Sequence, residues 1–366
     1  MDKKFIISKS DIQNNISVLR EKVKDARVYA VLKGNAYGMG LVPFAKELFS
    51  CGIKYFALTS LEDALLLKNA VQDCSVLLLT PCNLEDAIES AVSDDITLCV
   101  DSLENAMLIS KTAQKLEKTA QIHIKIDTGM GRYGFLPSQI DDIKSVCALE
   151  NINAEGIFTH LHSAFNKDPS PSFEQYRLFT STIDNLSKQS IKFEVSHICN
   201  STAIFRFPDM HLTAVRAGSA LIGRVSEVCG KTNLCKVGKL YGQVVDIREL
   251  PKDHNIGYAA LYRTKKAQKI ACVNVGYADG VAVTKANDTF RFIDILRYGF
   301  NDFKLLFKPT PLVCTINGKN AKSLGRIGMT NLVLDASLVD DIKIGDLVNI
   351  PANPIYLSPL IEREYI

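Results

Sequence analysis

The amino-acid sequence predicts an α/β protein, with an N-terminal (β/α)8 barrel of the TIM type followed by a mostly β C-terminal domain. The first observation is that short, almost wholly apolar segments alternate with longer helical patterns eight times, beginning at residue 27. The second is that this alternation stops near residue 232, after which β-rich segments are separated by Gly, Asn, Asp and Pro turns. We therefore predict a barrel domain over residues 1–232 and a C-terminal β domain over residues 233–366.

Each predicted barrel strand is apolar along nearly its whole length, as a parallel strand covered on both faces requires. The eight segments are 27–33, 55–59, 76–80, 97–100, 121–127, 153–160, 193–199 and 212–218. Apolar residues between the early strands recur at intervals of three and four, as over 61–70 and 103–118, which predicts helices. Eight such units close into a barrel, whereas the competing open, doubly wound sheet usually has fewer strands.

The second domain is predicted from five β-rich segments bounded by turn residues. These segments are 239–250, 267–280, 311–318, 332–337 and 345–351. Helical periodicity is weak throughout this part of the chain.

Composition and charge narrow the class of protein. The 366 residues include 43 Lys and Arg against 40 Asp and Glu, and a net charge of +3 does not indicate the basic surface that nucleic acid requires. The apolar runs are far shorter than the roughly 20 residues that span a bilayer, and no secretion signal follows the N-terminal lysines. Ten cysteines are scattered without C-x-x-C spacing, which favours reduced thiols in a cytoplasmic protein over a disulfide framework.

In a β/α barrel the reactive residues collect at the carboxyl ends of the strands. Those ends carry Lys33, Asp127, His160, Ser201 and Arg216. The loops after strands seven and eight are the usual phosphate site of this fold. Ser201 and the backbone of Gly218 and Ser219 are therefore candidate phosphate ligands, although Ser201 would also suit a helix cap.

Lys33 ends an apolar strand, where burial would lower the pKa of its amine and make it a usable nucleophile. The alternative is a lysine that keeps its ammonium group in solvent at a strand end. The glycines that follow permit close approach of a ligand, but their spacing is too short for a dinucleotide-binding loop. A lysine amine and a phosphate site at one barrel mouth together indicate pyridoxal phosphate as the cofactor.

The segment YAVLKGNAYGMG at 29–40 resembles the cofactor-lysine signature of the alanine racemase family. The similarity continues in order through 125–135, 156–164, 197–205, 215–223, 257–262, 275–281 and 324–331. It spans nearly the whole chain and implies the same barrel and β domain that the pattern predicts. The resemblance implies an amino-acid racemase that interconverts L- and D-alanine by two-base proton exchange at Cα of a pyridoxal-phosphate aldimine.

The resemblance assigns the two catalytic bases to Lys33 and Tyr258. Lys33 would bind the cofactor covalently and, once freed, act on one face of Cα, so a second base must act on the opposite face. Tyr258 matches the family's tyrosine, which comes from the other subunit, and this implies a homodimer with active sites shared between subunits. A phenol is a poor base at neutral pH unless a positive neighbourhood favours its anion. Without the motif, Tyr258 would be interpreted as an aromatic residue in a half-buried strand.

Other residues match the family's contacts to cofactor and substrate. Arg216 would face the pyridine nitrogen, and because a guanidinium keeps its proton, this pairing disfavours transamination and decarboxylation. Arg132 and the N–H of Met329 would bind the substrate carboxylate, and Lys125 matches a lysine that can be carbamylated to hold Arg132. Tyr37, Ser201, Gly218 and Ser219 match the phosphate contacts. His160 and His197 match histidines that link Arg216 to the tyrosine, and Tyr277 and Arg326 match the lining of the entry corridor. The pair His160 and His162 has no evident third ligand, so no metal is expected.

The sequence departs from the family pattern at four points. The lysine signature has Gly34 and Met39, Thr330 follows Met329 where Asp is usual, and an arginine is missing from 281–285. The usual C-terminal tyrosine has no clear match, although Tyr356 is a candidate replacement. The changes at Gly34 and Met39 are minor. Because the others alter the access corridor and gate, a racemase for serine or a broader set of amino acids stays open as the alternative.

Two other functions compete with racemisation. A decarboxylase of the related barrel family would place a carboxylate opposite the pyridine nitrogen, where this chain has Arg216. A pyridoxal-phosphate carrier would not need the β domain that contains Tyr258. The sequence leaves open whether D-alanine would serve the cell wall or a dedicated pathway.

Overall fold

The structure is a computed structural model that describes residues 3–307 and 310–366. The chain divides into two units: Lys9–Val237, called the barrel unit, and Met1–Ser8 together with Gly238–Ile366, called the β unit. Residues 1, 2, 308 and 309 of the predicted domains lie outside the described residues. The prediction that the barrel domain includes the N-terminal segment is wrong for its described residues, because residues 3–8 belong to the β unit.

The predicted barrel is confirmed. Regular structure begins with β1 (Lys4–Ile7) in the β unit, after which the chain enters the barrel unit. The closed barrel consists of eight parallel strands in chain order. They are β2 (Arg27–Val31), β3 (Tyr55–Leu58), β4 (Ser75–Pro81), β5 (Thr97–Val100), β6 (Ala120–Lys125), β7 (Ile152–Phe158), β8 (Val195–His197) and β9 (Ala214–Ala217). The ring closes where Tyr29 of β2 pairs with Arg216 of β9.

Helices alternate with the barrel strands. They are α1 (Lys9–Val23), α2 (Lys33–Tyr37), α3 (Leu41–Ser50), α4 (Leu61–Ala70), α5 (Glu85–Ser93), α6 (Leu103–Lys115), α7 (Ile140–Cys147), α8 (Ser170–Ser187) and α9 (Ser201–Arg206). Two of them begin at serine caps, since Ser60 and Ser102 accept hydrogen bonds from the N–H groups of Asp63 and Asn105.

Side chains fill the interior of the barrel. Tyr29 and Val31 of β2 pack with residues of four other strands: Ala57, Leu77, Val195 and Ala214. Two fully buried histidines, His123 and His197, lie beside this cluster, and the ring of Tyr29 stacks on that of His197 at 5.3 Å between centroids. These packed side chains close the bottom of the cavity at the strand ends.

The β unit is built around the long strand β10. Its strands are β10 (Lys239–Leu250), β11 (Asn255–Ile256), β12 (Tyr262–Arg263), β13 (Gln268–Val273), β14 (Val313–Ile316), β15 (Lys319–Lys322), β16 (Leu332–Asp335), β17 (Leu347–Ile350) and β18 (Glu362–Tyr365). The main sheet has the order β15-β14-β17-β10-β1-β18, and β13 pairs with β10 and β16. The predicted mostly β architecture is therefore confirmed.

Strand β1 fills the place between β10 and β18, antiparallel to the first and parallel to the second. Four residues are too few to show a period, and both partners are distant in sequence. For these reasons the local pattern did not predict this pairing.

One helix of the β unit was not predicted. Helix α10 (Phe292–Phe307) lies in the part of the chain for which the sequence predicts mostly strands, and this prediction is wrong for the segment. The missed signal is the recurrence of large apolar residues at intervals of three and four between Phe292 and Phe307. None of the helices in the described ranges combines the length and the apolar character needed to cross a membrane.

Candidate active site

Lys33 stands at the carboxyl end of β2 and lines a cavity of about 270 Å³ at the mouth of the barrel. Three other cationic side chains line the same cavity, and its described lining contains no carboxylate: the cations are Lys125, Arg132 and Arg216. Burial, reinforced by the positive charges of Arg132 and Arg216, lowers the pKa of Lys33. At a given pH more of this amine is therefore neutral than in an exposed lysine, as a nucleophile or base requires.

The backbone after Lys33 turns in the left-handed sense for four consecutive residues. The φ angles are 62° at Gly34, 53° at Asn35, 53° at Ala36 and 56° at Tyr37. Glycine and asparagine tolerate this conformation, but at Ala36 and Tyr37 it costs about 1–2 kcal/mol each. The Oδ1 atom of Asn35 accepts a hydrogen bond of 2.8 Å from the N–H of residue 41, which helps to hold the turn. Maintained strain of this kind is characteristic of functional sites.

This turn brings the phenol of Tyr37 against the backbone of Gly218. A Cβ atom at position 218 would lie 2.2 Å from the Oη atom of Tyr37, so only glycine permits the approach. Burial raises the pKa of Tyr37 to about 12, which keeps the hydroxyl protonated and able to donate a hydrogen bond.

Ser201 joins the start of α9 to the turn that follows β9. Its Oγ atom accepts hydrogen bonds from the N–H groups of Gly218 at 2.9 Å and Ala220 at 3.1 Å, which leaves its own proton available to a ligand. The helix-cap role considered for Ser201 belongs instead to Asn200, whose Oδ1 accepts from the N–H of Thr202 at 3.1 Å. The predicted phosphate residues Tyr37, Ser201, Gly218 and Ser219 therefore line one cavity.

Arg216 is buried beneath this cavity without a carboxylate partner among the described residues. Its Nη1 atom donates to Nδ1 of His197 at 2.6 Å, and its Nη2 atom donates to the carbonyl of Thr159 at 2.7 Å and to Nδ1 of His160 at 3.2 Å. Burial lowers the pKa of Arg216 to about 10, so the guanidinium remains charged at neutral pH. Its Nε atom has no hydrogen bond within the described ranges, which leaves a donor for a ligand.

The two predicted histidines are both bound to Arg216 and are kept neutral. Burial, followed by the charge of Arg216, lowers the pKa of His160 and of His197 well below the usual range. The neighbouring His162 contacts the hydroxyl of Ser163. Within the described residues no group of three His, Cys, Asp or Glu side chains is arranged to hold a metal ion.

Lys125, at the end of β6, is a buried amine without a hydrogen-bond partner among the described residues. Its Nζ atom lies 4.9 Å from the centre of the Phe158 ring. Burial and the nearby charge of Arg216 lower the pKa of Lys125 to about 7. Near neutral pH a substantial fraction of such an amine is therefore the free base.

Arg132 reaches the cavity from the loop after β6, and Asp127 fixes that loop. The carboxylate of Asp127 accepts hydrogen bonds of 2.8–2.9 Å from the three successive N–H groups of residues 129–131. Asp127, a candidate strand-end residue in the sequence, is thus a loop anchor. Lys125 makes no direct hydrogen bond to Arg132 as both stand.

The remaining predicted site residues form a second cluster, within the β unit. The N–H of Tyr277 donates to the carbonyl of Gly328 at 3.0 Å, and a Cβ atom on Gly328 would lie 3.7 Å from Cε2 of Tyr258. Arg326 and Met329 belong to the same loop, and the side chain of Tyr258 is 68% exposed. This unit therefore presents Tyr258, Tyr277 and Met329 together on an open surface.

Two family models match the chain: alanine racemase, N-terminal domain, over residues 7–225, and alanine racemase, C-terminal domain, over residues 237–355. The chain belongs to the alanine racemase family. The alanine racemase of Methanococcus maripaludis is 36% identical over 350 residues, covering 94% of this chain and 87% of the relative.

Solved structures agree with the alanine racemase fold. The alanine racemase of Clostridium difficile 630 has a TM-score of 0.88 and 26% identity, covering 100% of this chain and 96% of that chain. The alanine racemase of Bartonella henselae, solved with covalently bound pyridoxal phosphate, has the same fold, with a TM-score of 0.83, 24% identity and full coverage of both chains. This alanine racemase homologue is accordingly an isomerase that acts on amino acids. The relatives favour L- and D-alanine as its substrates over the serine or broader alternative.

Sequence reasoning missed His123 and Asn200 in this alanine racemase homologue. The Nδ1 atom of His123 lies 2.9 Å from Nε2 of His197, which extends the line of contacts from Arg216. A usable signal was present, because His123 and Lys125 are two residues apart in one strand and must share a face. Asn200 could have been identified as a helix cap from its position before the small polar residues of α9.

Proposed function

We propose that the protein interconverts L- and D-alanine by moving the Cα proton between two bases, Lys33 and the partner subunit's Tyr258, with pyridoxal phosphate as cofactor. The observation that carries this proposal is the cavity at the barrel mouth. An amine with a lowered pKa lies there in a ring of cationic groups, next to backbone and hydroxyl donors. Such a cavity suits a phosphorylated, carbonyl-bearing ligand.

The residues present fit pyridoxal phosphate. The phosphate would be held by Tyr37, Ser201 and the backbone of Gly218 and Ser219, where the missing Cβ at position 218 lets the Tyr37 phenol approach the backbone. Lys33 would bind the carbonyl carbon, and the free Nε of Arg216 would face the pyridine nitrogen. When bound, the cofactor withdraws electrons from Cα of an attached amino acid and thereby makes the Cα proton removable.

Lys33 supplies one of the two bases. Burial and the two nearby guanidinium groups lower its pKa, so its neutral amine can accept a proton from the face of Cα on the barrel side. A single base would return the proton to the face from which it came. Inversion therefore requires an acid on the opposite face, the role proposed for Tyr258.

Arg216 restricts the reaction to proton exchange. Its guanidinium stays charged, and its position is fixed by hydrogen bonds to the buried histidines His160 and His197. A permanently charged donor cannot pass its proton to the atom it faces. The pyridine ring that Arg216 would face is therefore a weak electron acceptor. Return of the proton to Cα is then favoured over transamination or decarboxylation.

The β unit supports a homodimer with shared sites. Tyr258, Tyr277 and Met329 are clustered and exposed, although a catalytic phenol needs a sheltered surface to act on substrate. The barrel mouth of a second subunit would supply that surface. The N–H of Met329 and the guanidinium of Arg132 would then bind the substrate carboxylate.

Lys125 is proposed to be carbamylated in the working enzyme. Its neutral amine can attack carbon dioxide, forming an N–C bond and releasing one proton, to give a negatively charged carbamate. The carbamate would place a negative charge at an amine that has no hydrogen-bond partner among the described residues, and would give Arg132 a partner. We also propose a cytoplasmic location, which the ten free cysteines support. A role in supplying D-alanine for the cell wall is proposed from membership of the family.

The deciding experiment measures deuterium exchange at Cα in D2O, followed by chiral analysis. Purified full-length protein with added pyridoxal phosphate is given a panel of L-amino acids. Exchange and racemisation should be fastest with alanine. Faster racemisation of serine or bulkier residues would overturn the choice of substrate, and bound cofactor without exchange of any substrate would leave a cofactor carrier.

A further inference from the structure

Helix α10 exposes nearly its whole surface. All sixteen residues of α10 are described, and Asp294 is the one among them that is buried. Its carboxylate forms ion pairs with Arg291 and Arg297, which belong to the same segment of the chain. An isolated helix of this length is marginal in water and needs a surface to pack against.

Eight large apolar side chains of α10 fall on one side when successive residues are placed about 100° apart. This set, called the apolar face, consists of Phe292, Ile293, Ile295, Leu296, Phe300, Phe303, Leu306 and Phe307. Each member is between 46% and 76% exposed. No polar residue interrupts the face; Gly299 is the one other residue within it.

The apolar face is larger than the patches usual on a monomer. Large side chains contribute about 150–250 Å² each, so the face exposes roughly 800 Å², against about 300–600 Å² for a typical largest patch. Two such faces in contact would bury about 1,600 Å² in total, which is the standard area of a specific protein interface. The area therefore suits a second copy of the same helix.

Charges on the two sides of the apolar face specify an orientation. Lys304 and Arg297 lie along one side, and Asp302 lies along the other. In a parallel, two-fold pair opposite sides of the two helices adjoin, so Lys304 would lie beside the partner subunit's Asp302 at the same height. An antiparallel pair would instead bring the Lys304 sides of both helices together.

We infer that α10 is a self-association helix, which packs in parallel against α10 of a second copy of this chain. A lipid surface fits less well, because helices that lie on membranes are rich in Lys and Arg, whereas α10 has two basic residues and two acidic ones, Asp294 and Asp302, and so carries no net charge. The contact is separate from the proposed sharing of active sites and does not depend on it.

Two leucines of α10 give a matched test. Leu296 and Leu305 are 52% and 48% exposed and lie about 180° apart around the helix, with only Leu296 on the apolar face. Full-length protein with added pyridoxal phosphate is compared by sedimentation velocity over a dilution series. Leu296→Lys should weaken association by about tenfold or more, as loss of an interface anchor does, and Leu305→Lys should leave it unchanged. Equal behaviour of both variants and the parent protein would overturn the inference.

The orientation has its own test. Lys304→Asp should weaken association because the new carboxylate would face the partner subunit's Asp302, and adding Asp302→Lys in the same chain should restore it. Failure of the double variant to recover would overturn the parallel arrangement. Binding of the parent protein, but not Leu296→Lys, to vesicles of phosphatidylcholine and phosphatidylglycerol, without a difference in sedimentation, would assign the face to a membrane surface instead.

Discussion

The Nη1 atom of Arg216 donates a hydrogen bond of 2.6 Å to Nδ1 of His197, and this contact fixes the proton on a buried imidazole. Because arginine only donates, Nδ1 of His197 must be the acceptor and Nε2 must carry the hydrogen. That hydrogen points to Nδ1 of His123 at 2.9 Å, so His123 in turn carries its hydrogen on Nε2. One guanidinium thus sets the tautomers of two histidines.

Both histidines are expected to remain neutral while the protein stays folded. Burial lowers the pKa of His123 to about 3 and holds that of His197 well below its usual range. The unfolded chain binds these protons below about pH 6.5, so folding stability is lost as pH falls from there towards 3. Nitrogen NMR of the imidazole rings should show the two fixed tautomers without titration. A ring that protonates near pH 6.5 would contradict the arrangement.

Lys33→Ala should abolish both cofactor linkage and racemisation, because Lys33 is the amine proposed to bind the carbonyl carbon, and the other lysine of the cavity, Lys125, is proposed to be carbamylated. Borohydride reduction followed by mass spectrometry measures the linkage directly. Lys144→Ala, at an exposed lysine of α7, is the matched control and should keep both properties. Linkage retained in Lys33→Ala would move the cofactor to another lysine.

Tyr258→Phe should retain the bound cofactor and lose turnover in at least one direction, since the ring is kept and only the proton-carrying hydroxyl is removed. Rates of Cα exchange with L- and D-alanine, measured separately, report the two directions. Full activity in both would sink the two-base assignment. Tyr298→Phe, on the polar side of α10, serves as the control.

Gly218→Ala should weaken cofactor affinity by about tenfold, as loss of one charge-assisted hydrogen bond does. The added methyl group would overlap the Tyr37 hydroxyl, 2.2 Å away, and displace the phenol. Tyr37→Phe should weaken affinity as well. If the two residues act through one contact, the double variant should lose less than the sum of the single effects; additive losses measured by cofactor titration would separate them.

Lys125→Met should change how stability depends on pH. The pKa of Lys125 is about 7 in the folded protein, whereas it is about 10.5 in the unfolded chain. Stability of the parent protein should therefore rise with pH across this window, and the rise should be smaller in the methionine variant. Urea unfolding in buffers free of carbon dioxide measures both slopes. Identical slopes would show that folding does not lower the pKa of Lys125.

Local sequence patterns predicted the barrel well because each of its strands is a self-contained apolar run between helices. The ends of β2 and β5 could be predicted to within two residues for that reason. Strand β1 could not, since its place depends on partners at residues 239–241 and 362–365. Helix α10 was missed for a different reason: it is a single helix among β segments, and its apolar face is left largely exposed.

The residues of the candidate site also differ in whether local sequence predicts them. Lys33 and Arg216 were predictable because strand ends are marked in the sequence. The approach of Tyr37 to Gly218 depends on a left-handed turn. The sequence does not predict this turn, because alanine, the residue at position 36, rarely adopts a left-handed conformation. His123 required knowing which face of β6 points inward.

The position of β1 in the sheet has a consequence for the order in which the protein matures during synthesis. Phe5 and Ile7 leave the ribosome long before β10 and β18, the strands with which β1 pairs. The barrel unit, whose strands pair with sequence neighbours, can close in the meantime. Throughout that interval the nascent chain carries an unpaired strand with two apolar side chains that are buried in the folded protein, and such a strand is prone to pair with other chains.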